Sequence, residues 1–311
     1  MYPGKYSLLV LILVSMLGNA FCQLVPFQDE EAMVTPNFQV GVIKAKKIAL
    51  ITIHDLSKPD GAPINDDGII HQYSFDTAGK ILESLYTVKT NSNTWDTIKC
   101  KYYYDTNNNI SVKRTQMGDF YDTWYYKWNK QNLVQREEHI HETSSVSADG
   151  SFKVATQKVI SADSFAYITY PKQLQQYAYN EDNKIFQKTI TQYDDNKRFM
   201  SRNCHYAVGW LYSQVDINYD ASGRMSGYVN TGNLNGDINQ NTIIKYDSTG
   251  KMAEQGIWVA GKQKHRIEYM YDNETGLISN KLDRDNDKAL ISIIRFSYEM
   301  YSNNGYPTAG K

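Results

Sequence analysis

The chain has 311 residues, of which 33 are basic and 34 are acidic, so its formal net charge is -1. A balanced charge gives no global electrostatic attraction to nucleic acid, and we expect no nucleic-acid partner. Tyrosine is abundant, with 25 copies against 7 prolines. Because a tyrosine ring packs against cross-strand neighbours while its hydroxyl stays hydrated, the composition favours β-sheet over helix.

Residues 1–22 are predicted to be a secretory signal peptide. Lys5 precedes an apolar run from Leu8 to Val14, which is too short to span a bilayer, and small residues lead to a cleavage site after Cys22. The mature protein is therefore expected to be secreted or to lie in the periplasm or at the cell surface. In the rival interpretation Cys22 is lipidated, and this anchor is the only membrane contact that we expect.

Residues 23–68 are predicted to form an extended lead-in followed by capping strands. Pro26 and Pro36 keep the first part extended, and the apolar residues between Phe38 and Asp55 predict one or two strands. These strands would cover the first edge of the structure that follows, because an exposed strand edge invites aggregation.

Residues 69–311 contain a short pattern that recurs along the chain. Its three clearest copies run from Tyr73 to Ile81, from Ile217 to Met225 and from Ile244 to Met252. In each copy an aspartate follows two apolar residues spaced two apart, a glycine stands three positions later, and a basic and an apolar residue come next. Aspartate and glycine at these positions are typical of a type I turn closed by a left-handed residue. Each copy therefore predicts one β-hairpin.

Weaker copies keep the same turn with other residues. Asn108 and Asn183 replace the glycine, and asparagine tolerates the left-handed conformation. The aromatic residues that precede the turns are mostly 24 to 29 residues apart and stand at positions 75, 104, 128, 179, 193, 219, 246, 271 and 298. A generic antiparallel protein, in which such turns recur by chance, is the alternative to a true repeat.

The copies resemble the YD repeats of Rhs proteins, teneurins and insecticidal toxin shells, and similar copies occur in short exported bacterial proteins. The resemblance covers residues 69–301 and implies an array of β-hairpins. With about ten units, the array is too short for the closed shell of the large family members. We therefore predict an all-β fold, a curled antiparallel sheet or solenoid-like array of about twenty strands, with a β-propeller as the alternative.

Removal of the signal peptide leaves two of the three cysteines, Cys100 and Cys204. An exported protein meets an oxidising compartment that permits disulfides. The pair therefore favours a bridge over two free thiols, although their spacing alone does not fix a contact.

A candidate metal site lies at Glu137, His139 and His141. On a strand these three residues share one face, and two imidazoles at this spacing can bind one metal ion. A divalent metal here is the one cofactor that the sequence suggests. An exposed, charged strand face is the alternative interpretation.

Aromatic residues form a second candidate site, for a glycan or protein ligand. Tyr102, Trp124, Tyr126 and Trp128 lie in segments that carry rings on both faces of a strand, so some rings must point away from the core. Exposed rings on a sheet stack on sugars or anchor protein partners. Structural cross-strand packing is the alternative.

The sequence contains no Gly-x-Ser-x-Gly elbow, phosphate loop, dinucleotide fingerprint or His-Glu-x-x-His motif. We therefore predict a non-enzymatic secreted or envelope repeat protein that binds a protein or glycan partner through its sheet surface. A carbohydrate-binding protein and a polysaccharide-acting hydrolase or lyase are the alternatives, since a glycosidase needs only two suitably spaced carboxylates.

Overall fold

The computed structural model describes residues 38–59, 61–89, 95–146, 152–234, 238–286, 290–302 and 307–308, so the predicted signal peptide and most of the lead-in lie outside it. One short helix precedes nineteen strands in these ranges. The elements are α1 (Val40–Ala45), β1 (Ile48–Pro59), β2 (Asn65–Phe75), β3 (Ile81–Lys89), β4 (Trp95–Tyr104), β5 (Ile110–Met117), β6 (Phe120–Trp128), β7 (Val134–Val146), β8 (Phe152–Tyr170), β9 (Gln173–Tyr179), β10 (Ile185–Tyr193), β11 (Phe199–Tyr206), β12 (Tyr212–Tyr219), β13 (Met225–Gly232), β14 (Ile238–Tyr246), β15 (Met252–Val259), β16 (Lys262–Tyr271), β17 (Ile278–Asp285), β18 (Leu290–Tyr301) and β19 (Pro307–Thr308). Within the described ranges no helix is long and apolar enough to cross a membrane.

The strands form a closed ring. Each strand from β1 to β17 pairs with the next strand along the chain in the antiparallel sense, and β18 then pairs with β1. This last pairing is long, because it runs from Ile48 opposite Met300 to Pro59 opposite Leu290. Strand β19 adds two residues beside the end of β18. The chain is therefore a closed, 18-stranded antiparallel β-barrel.

This closure corrects the predicted architecture. The curled sheet, the solenoid-like array and the β-propeller are all wrong, and so is the description of the chain as an array of YD-like β-hairpin repeats. Neighbouring hairpins pair edge to edge around the ring, so β1 to β18 form one continuous sheet without a free edge. The buried apolar side chains form one cluster inside this ring instead of filling gaps between stacked units.

The predicted turn geometry is confirmed. Gly223 and Gly250 have φ angles of 79° and 85°, and Asn108 and Asn183 have φ angles of 67° and 58°. The backbone N–H of each of these residues donates to the carbonyl of the residue three positions earlier. The strand register shifts by one residue beside each turn, as expected for a bulged hairpin.

The aromatic residues before the turns join neighbouring hairpins. Each of six such side chains donates a hydrogen bond, 2.6 to 2.8 Å long, to the backbone carbonyl of a buried residue that begins the second strand of the preceding hairpin. These cross-hairpin bonds run from Tyr104 to Ile81, from Trp128 to Ile110, from Tyr219 to Phe199, from Tyr246 to Met225, from Tyr271 to Met252 and from Tyr298 to Ile278. They tie successive hairpins together at one end of the barrel.

One copy of the pattern lies at the other end of the barrel. The turn at Asn183 joins β9 to β10, whereas the turns at Gly223 and Gly250 each join an even-numbered strand to the next odd-numbered one. In an antiparallel ring these two kinds of connection lie at opposite ends. Ile185, which follows the turn at Asn183, is 46% exposed, while the corresponding Ile81 is 2% exposed. The buried apolar layer therefore lies at the end that carries most of the predicted turns.

The segment that was predicted to form capping strands contains α1 and β1. Helix α1 contributes Ile43, which is 1% exposed, to the buried cluster inside the barrel. Just before the helix, the Phe38 ring meets Tyr73 edge-on, with 4.9 Å between ring centroids. Gly79 permits the close approach of the helix, because a Cβ there would lie 2.9 Å from the Val40 carbonyl oxygen. Strand β1 does not cap an edge, because it pairs with strands on both of its sides.

The favoured disulfide is also wrong. Cys100 and Cys204 are both buried free thiols. They lie on β4 and β11, and six strands stand between these two around the ring. A disulfide needs Cα atoms within about 7 Å of each other, which this separation does not allow.

Candidate functional site on the inner wall

The inner wall over β5, β6 and β7 carries most of the site residues that the sequence predicted. Directly paired residues on neighbouring strands share one face of a sheet. The register places Lys113, Trp124 and His139 in one row across these strands, and Tyr126 and Glu137 in the row nearer to the turns. Lys113 is buried, so both rows lie on the face that points into the barrel.

The two predicted metal-binding histidines share a carboxylate that the sequence did not identify. The Oδ1 atom of Asp122 lies 3.0 Å from His139 Nε2 and 3.0 Å from His141 Nδ1. Glu137 shares the strand face of the histidines, as predicted, but its register partner is Asp163 on β8. Among the described residues, no three His, Cys, Asp or Glu side chains are arranged to hold a metal ion. Metal binding by this group therefore stays a prediction.

The Trp124 ring is enclosed by its neighbours. His139 on one adjacent strand stacks against it, with 4.3 Å between ring centroids and 7° between ring planes. Lys113 on the other adjacent strand holds its Nζ atom 4.7 Å from the ring centroid. These two neighbours occupy the ring surfaces that a sugar would need for stacking.

The other predicted ligand-binding aromatics take part in packing. Tyr102 is 7% exposed and belongs to the buried cluster, against which Tyr126 also packs. Trp128 makes one of the cross-hairpin bonds, from its Nε1 atom to the Ile110 carbonyl oxygen. Burial raises the pKa of both tyrosine hydroxyls above the usual range. These positions fit the alternative interpretation of structural cross-strand packing.

Two carboxyl groups face each other inside the barrel with altered acidity. The pKa of Glu137 is raised to about 7, mainly by burial and in part by the negative charge of Asp163, while Lys113 opposes the shift. Burial also raises the pKa of Asp163, with a further contribution from Glu181. Burial lowers the pKa of Lys113. A carboxylic acid paired with a carboxylate is the smallest set of catalytic groups that a glycosidase needs.

Two more histidine–aspartate pairs lie on the inner wall. His265 Nδ1 is 3.0 Å from Asp283 Oδ1, and His71 Nε2 is 3.9 Å from Asp55 Oδ2. The register places both pairs on the inner face. These groups are only partly covered, since the histidine side chains are 37% and 22% exposed. The interior beyond the apolar layer is therefore polar.

No family model and no curated protein matches the chain. Among solved structures, the chain is similar to a porin-like protein from Bacteroides uniformis, with 9% identity, coverage of 81% of this chain and 98% of that chain, and a TM-score of 0.39. It is also similar to a porin-like protein from Bacteroides vulgatus, with 12% identity, coverage of 79% and 97%, and a TM-score of 0.33. The Tc holotoxin pore of Photorhabdus luminescens matches with 10% identity, coverage of 71% and 16%, and a TM-score of 0.21. Because these TM-scores are low, the assignment of a barrel rests on the strand pairings of the chain itself.

Proposed function

We propose that this chain is a non-enzymatic protein of the bacterial envelope, a closed barrel whose outer wall stands in water and binds a partner. The signal-like residues 1–22 support export. The two Bacteroides structures are described as porin-like. The chain differs from a membrane-embedded porin in the chemistry of its outer wall.

A network of charged residues on the outer wall is the observation that carries this proposal. The Glu254 carboxylate lies 2.7 Å from Lys245 Nζ and 2.8 Å from Arg266 Nη2, and Glu268 lies 3.0 Å from Arg266 and 3.4 Å from Arg284. These five residues, which we call the outer ion network, span β14 to β17. They alternate along the strands with residues that point inward, so they face away from the core.

Such a network does not suit contact with lipid. The lipid-facing wall of a membrane barrel is an apolar band, and an arginine or lysine near the bilayer midplane destabilises it by about 2–4 kcal/mol. The outer ion network places five charges on four neighbouring strands. We therefore infer that this wall is hydrated, in the periplasm or at the cell surface.

Cell fractionation tests the proposed location. The chain, produced with its own residues 1–22 in a Gram-negative host, should lose this segment and appear in the periplasmic or extracellular fraction. If it is tethered, it should leave the membrane as a soluble β-rich protein once the tether is cut. Extraction and folding only in the presence of detergent would overturn the proposal.

A polysaccharide hydrolase or lyase is the second candidate function, and the facing pair of Glu137 and Asp163 is the observation that favours it. The turn aspartates, in contrast, serve the backbone: Asp220, for example, accepts the Arg224 amide. Turnover should be measured on a panel of acidic and neutral polysaccharides with the wild-type protein and Glu137→Gln. We expect no turnover that depends on Glu137, and its detection would replace the non-enzymatic proposal.

A further inference from the structure

The outer wall over β4 to β7 combines exposed rings with a net positive charge. The register places Tyr103, Val112 and Tyr125 in one row across three strands. Tyr103 is 49% exposed and Tyr125 is 39% exposed, so both rings are open to solvent. Strands lie about 4.8 Å apart, which puts the two tyrosine positions about 10 Å apart. We call this row, together with Lys127 and Arg136, the aromatic–basic patch.

Two like charges face each other directly in this patch. Lys127 on β6 pairs in register with Arg136 on β7, and both side chains are exposed. Like charges directly opposite each other destabilise a sheet. In the part of the chain that the structure describes, neither side chain makes an ion pair with a carboxylate, whereas the nearby Arg114 pairs with Glu142. The nearest acidic residue in the register is Glu138, which stands opposite Tyr125.

The outer ion network shows how the same barrel treats like charges elsewhere. Glu254 and Glu268 also pair directly in register, and so do Arg266 and Arg284. There, alternating contacts of 2.7 to 3.4 Å neutralise the charges within the protein. Lys127 and Arg136 have no such contacts, and the single carboxylate of Glu138 leaves the patch with a net positive charge that a ligand can neutralise.

We infer that the aromatic–basic patch binds an acidic polysaccharide. Carboxylate, sulfate or phosphate groups on the polymer would neutralise Lys127 and Arg136, and the apolar faces of its sugar rings would stack on Tyr103 and Tyr125. A linear polymer fits this row, because the two rings stand side by side across neighbouring strands and successive sugars of one chain can reach both. The inference rests on the proposal that this wall faces water.

The test measures retardation of the folded protein in native gels that contain polygalacturonate, its neutral methyl ester, or no polymer. The wild-type protein should be retarded by polygalacturonate alone, and less so as sodium chloride rises from about 50 to about 300 mM, because salt screens the contacts. The Lys127→Gln/Arg136→Gln variant should bind about tenfold more weakly, and Tyr103→Ala/Tyr125→Ala several-fold more weakly. Melting curves confirm that each variant is folded.

A matched control removes the same positive charge from the outer wall on the opposite side of the barrel. The Lys245→Gln/Arg284→Gln variant loses two positive charges from the outer ion network and should bind within about twofold of the wild type. The inference is overturned if the soluble wild-type protein is not retarded or if the control weakens binding equally. Stronger association with phosphatidylglycerol vesicles than with polygalacturonate would also overturn it. A protein that needs detergent to stay folded would instead overturn the proposed function.

Discussion

At the residue scale, the turn aspartates act on the backbone of their own hairpins. Asp220 Oδ1 accepts the Arg224 amide at 2.9 Å. Asp247 Oδ1 accepts the amides of Thr249 and Lys251 at 2.8 and 2.9 Å. The pKa of Asp220 is lowered mainly by the hydrogen bond that the Arg224 amide donates to it. The pKa of Asp247 is lowered mainly by the hydrogen bond that the Thr249 hydroxyl donates. These contacts leave each carboxylate in a structural role.

Replacing either turn aspartate by alanine should therefore lower stability and leave partner binding unchanged. Loss of these acceptors in Asp220→Ala or Asp247→Ala should lower the melting temperature by a few degrees. Asparagine at the same positions keeps an acceptor oxygen and should cost less. Melting temperatures that do not change in either alanine variant would contradict the turn mechanism.

The glycine at the end of the turn has a separate, conformational role. Because Gly223 and Gly250 have positive φ angles, Gly250→Val should destabilise the protein by about 1–2 kcal/mol, since a branched Cβ clashes in the left-handed region. Gly250→Asn should be tolerated much better, because Asn108 and Asn183 already hold this conformation in the same barrel. Equal unfolding free energies for the two variants would contradict this explanation.

The partly buried Glu137 carboxyl should make stability depend on pH in the acidic to neutral range. Its pKa is about 7 in the folded protein against an ordinary value of 4.5. Between these values the folded protein holds a proton that the unfolded chain has released, so stability falls as pH rises. The loss reaches at most about 3 kcal/mol. Below pH 4.5 both states are protonated and this contribution is fully present.

Unfolding experiments at about pH 5 and about pH 8 with the wild type and Glu137→Gln measure this effect. The glutamine variant resembles the protonated carboxyl at every pH, so it should lose less stability than the wild type between the two conditions. The other ionisable groups are common to both proteins, so their contributions cancel in the comparison. The same loss of stability in both proteins would show that Glu137 keeps an ordinary pKa.

At this scale the sequence predicts local geometry well and long-range partners poorly. The turn residues follow from the conformational preferences of aspartate, glycine and asparagine over four positions. The shared face of Glu137, His139 and His141 follows from strand alternation. Asp122 could not be found in this way, because its contact with the histidines depends on how β6 and β7 are aligned.

At the scale of elements, the cross-hairpin bonds explain why a tyrosine or tryptophan precedes several of the turns. Tyr246 donates its hydroxyl to the Met225 carbonyl over 2.7 Å, while the Arg224 guanidinium lies 4.3 Å from its ring centroid. One residue thus joins two hairpins through a hydrogen bond and a cation–π contact. The basic residue of the pattern is explained by the same contact, since it covers the next aromatic ring.

Removal of one hydroxyl should weaken this connection by a measurable amount. Tyr246→Phe keeps the ring and its contact with Arg224 but leaves the Met225 carbonyl without this donor, so it should destabilise the protein by about 1 kcal/mol. Tyr103→Phe is the matched control, because that ring is exposed on the outer wall, and it should have little effect. Similar unfolding free energies for the two variants would contradict the role of the cross-hairpin bonds.

The helix α1 was missed because a short apolar run is ambiguous. The segment Val40–Ala45 contains valine and isoleucine, which favour strands, and is only six residues long. Its helical form is set by tertiary packing, since it lies against Gly79 and buries Ile43. No local signal in the sequence separates this outcome from a strand.

At the scale of the whole molecule, closure of the ring is the feature that the sequence did not reveal. Hairpin patterns define each pair of neighbouring strands, but the return of β18 to β1 depends on the tilt and stagger of all the strands together. The pairing of β1 with β18 joins residues that are separated in sequence by almost the whole described chain, such as Thr52 and Ser297. The predicted disulfide between Cys100 and Cys204 was wrong for the same reason, because only the closed ring shows that the two strands are far apart.

An engineered disulfide between the first and last strands tests the closed, water-facing barrel most directly. Thr52 and Ser297 pair in register on the outer wall, and directly opposed residues of antiparallel strands lie about 4.5–5.5 Å apart, within disulfide range. The Thr52→Cys/Ser297→Cys protein, purified without detergent, should form this bond on mild oxidation, whereas Thr52→Cys/Ser201→Cys should not. If the thiols at positions 52 and 297 both stay free and can be alkylated in the folded protein, the ring is not closed. If the variant and the wild type fold only in detergent, the outer wall does not face water.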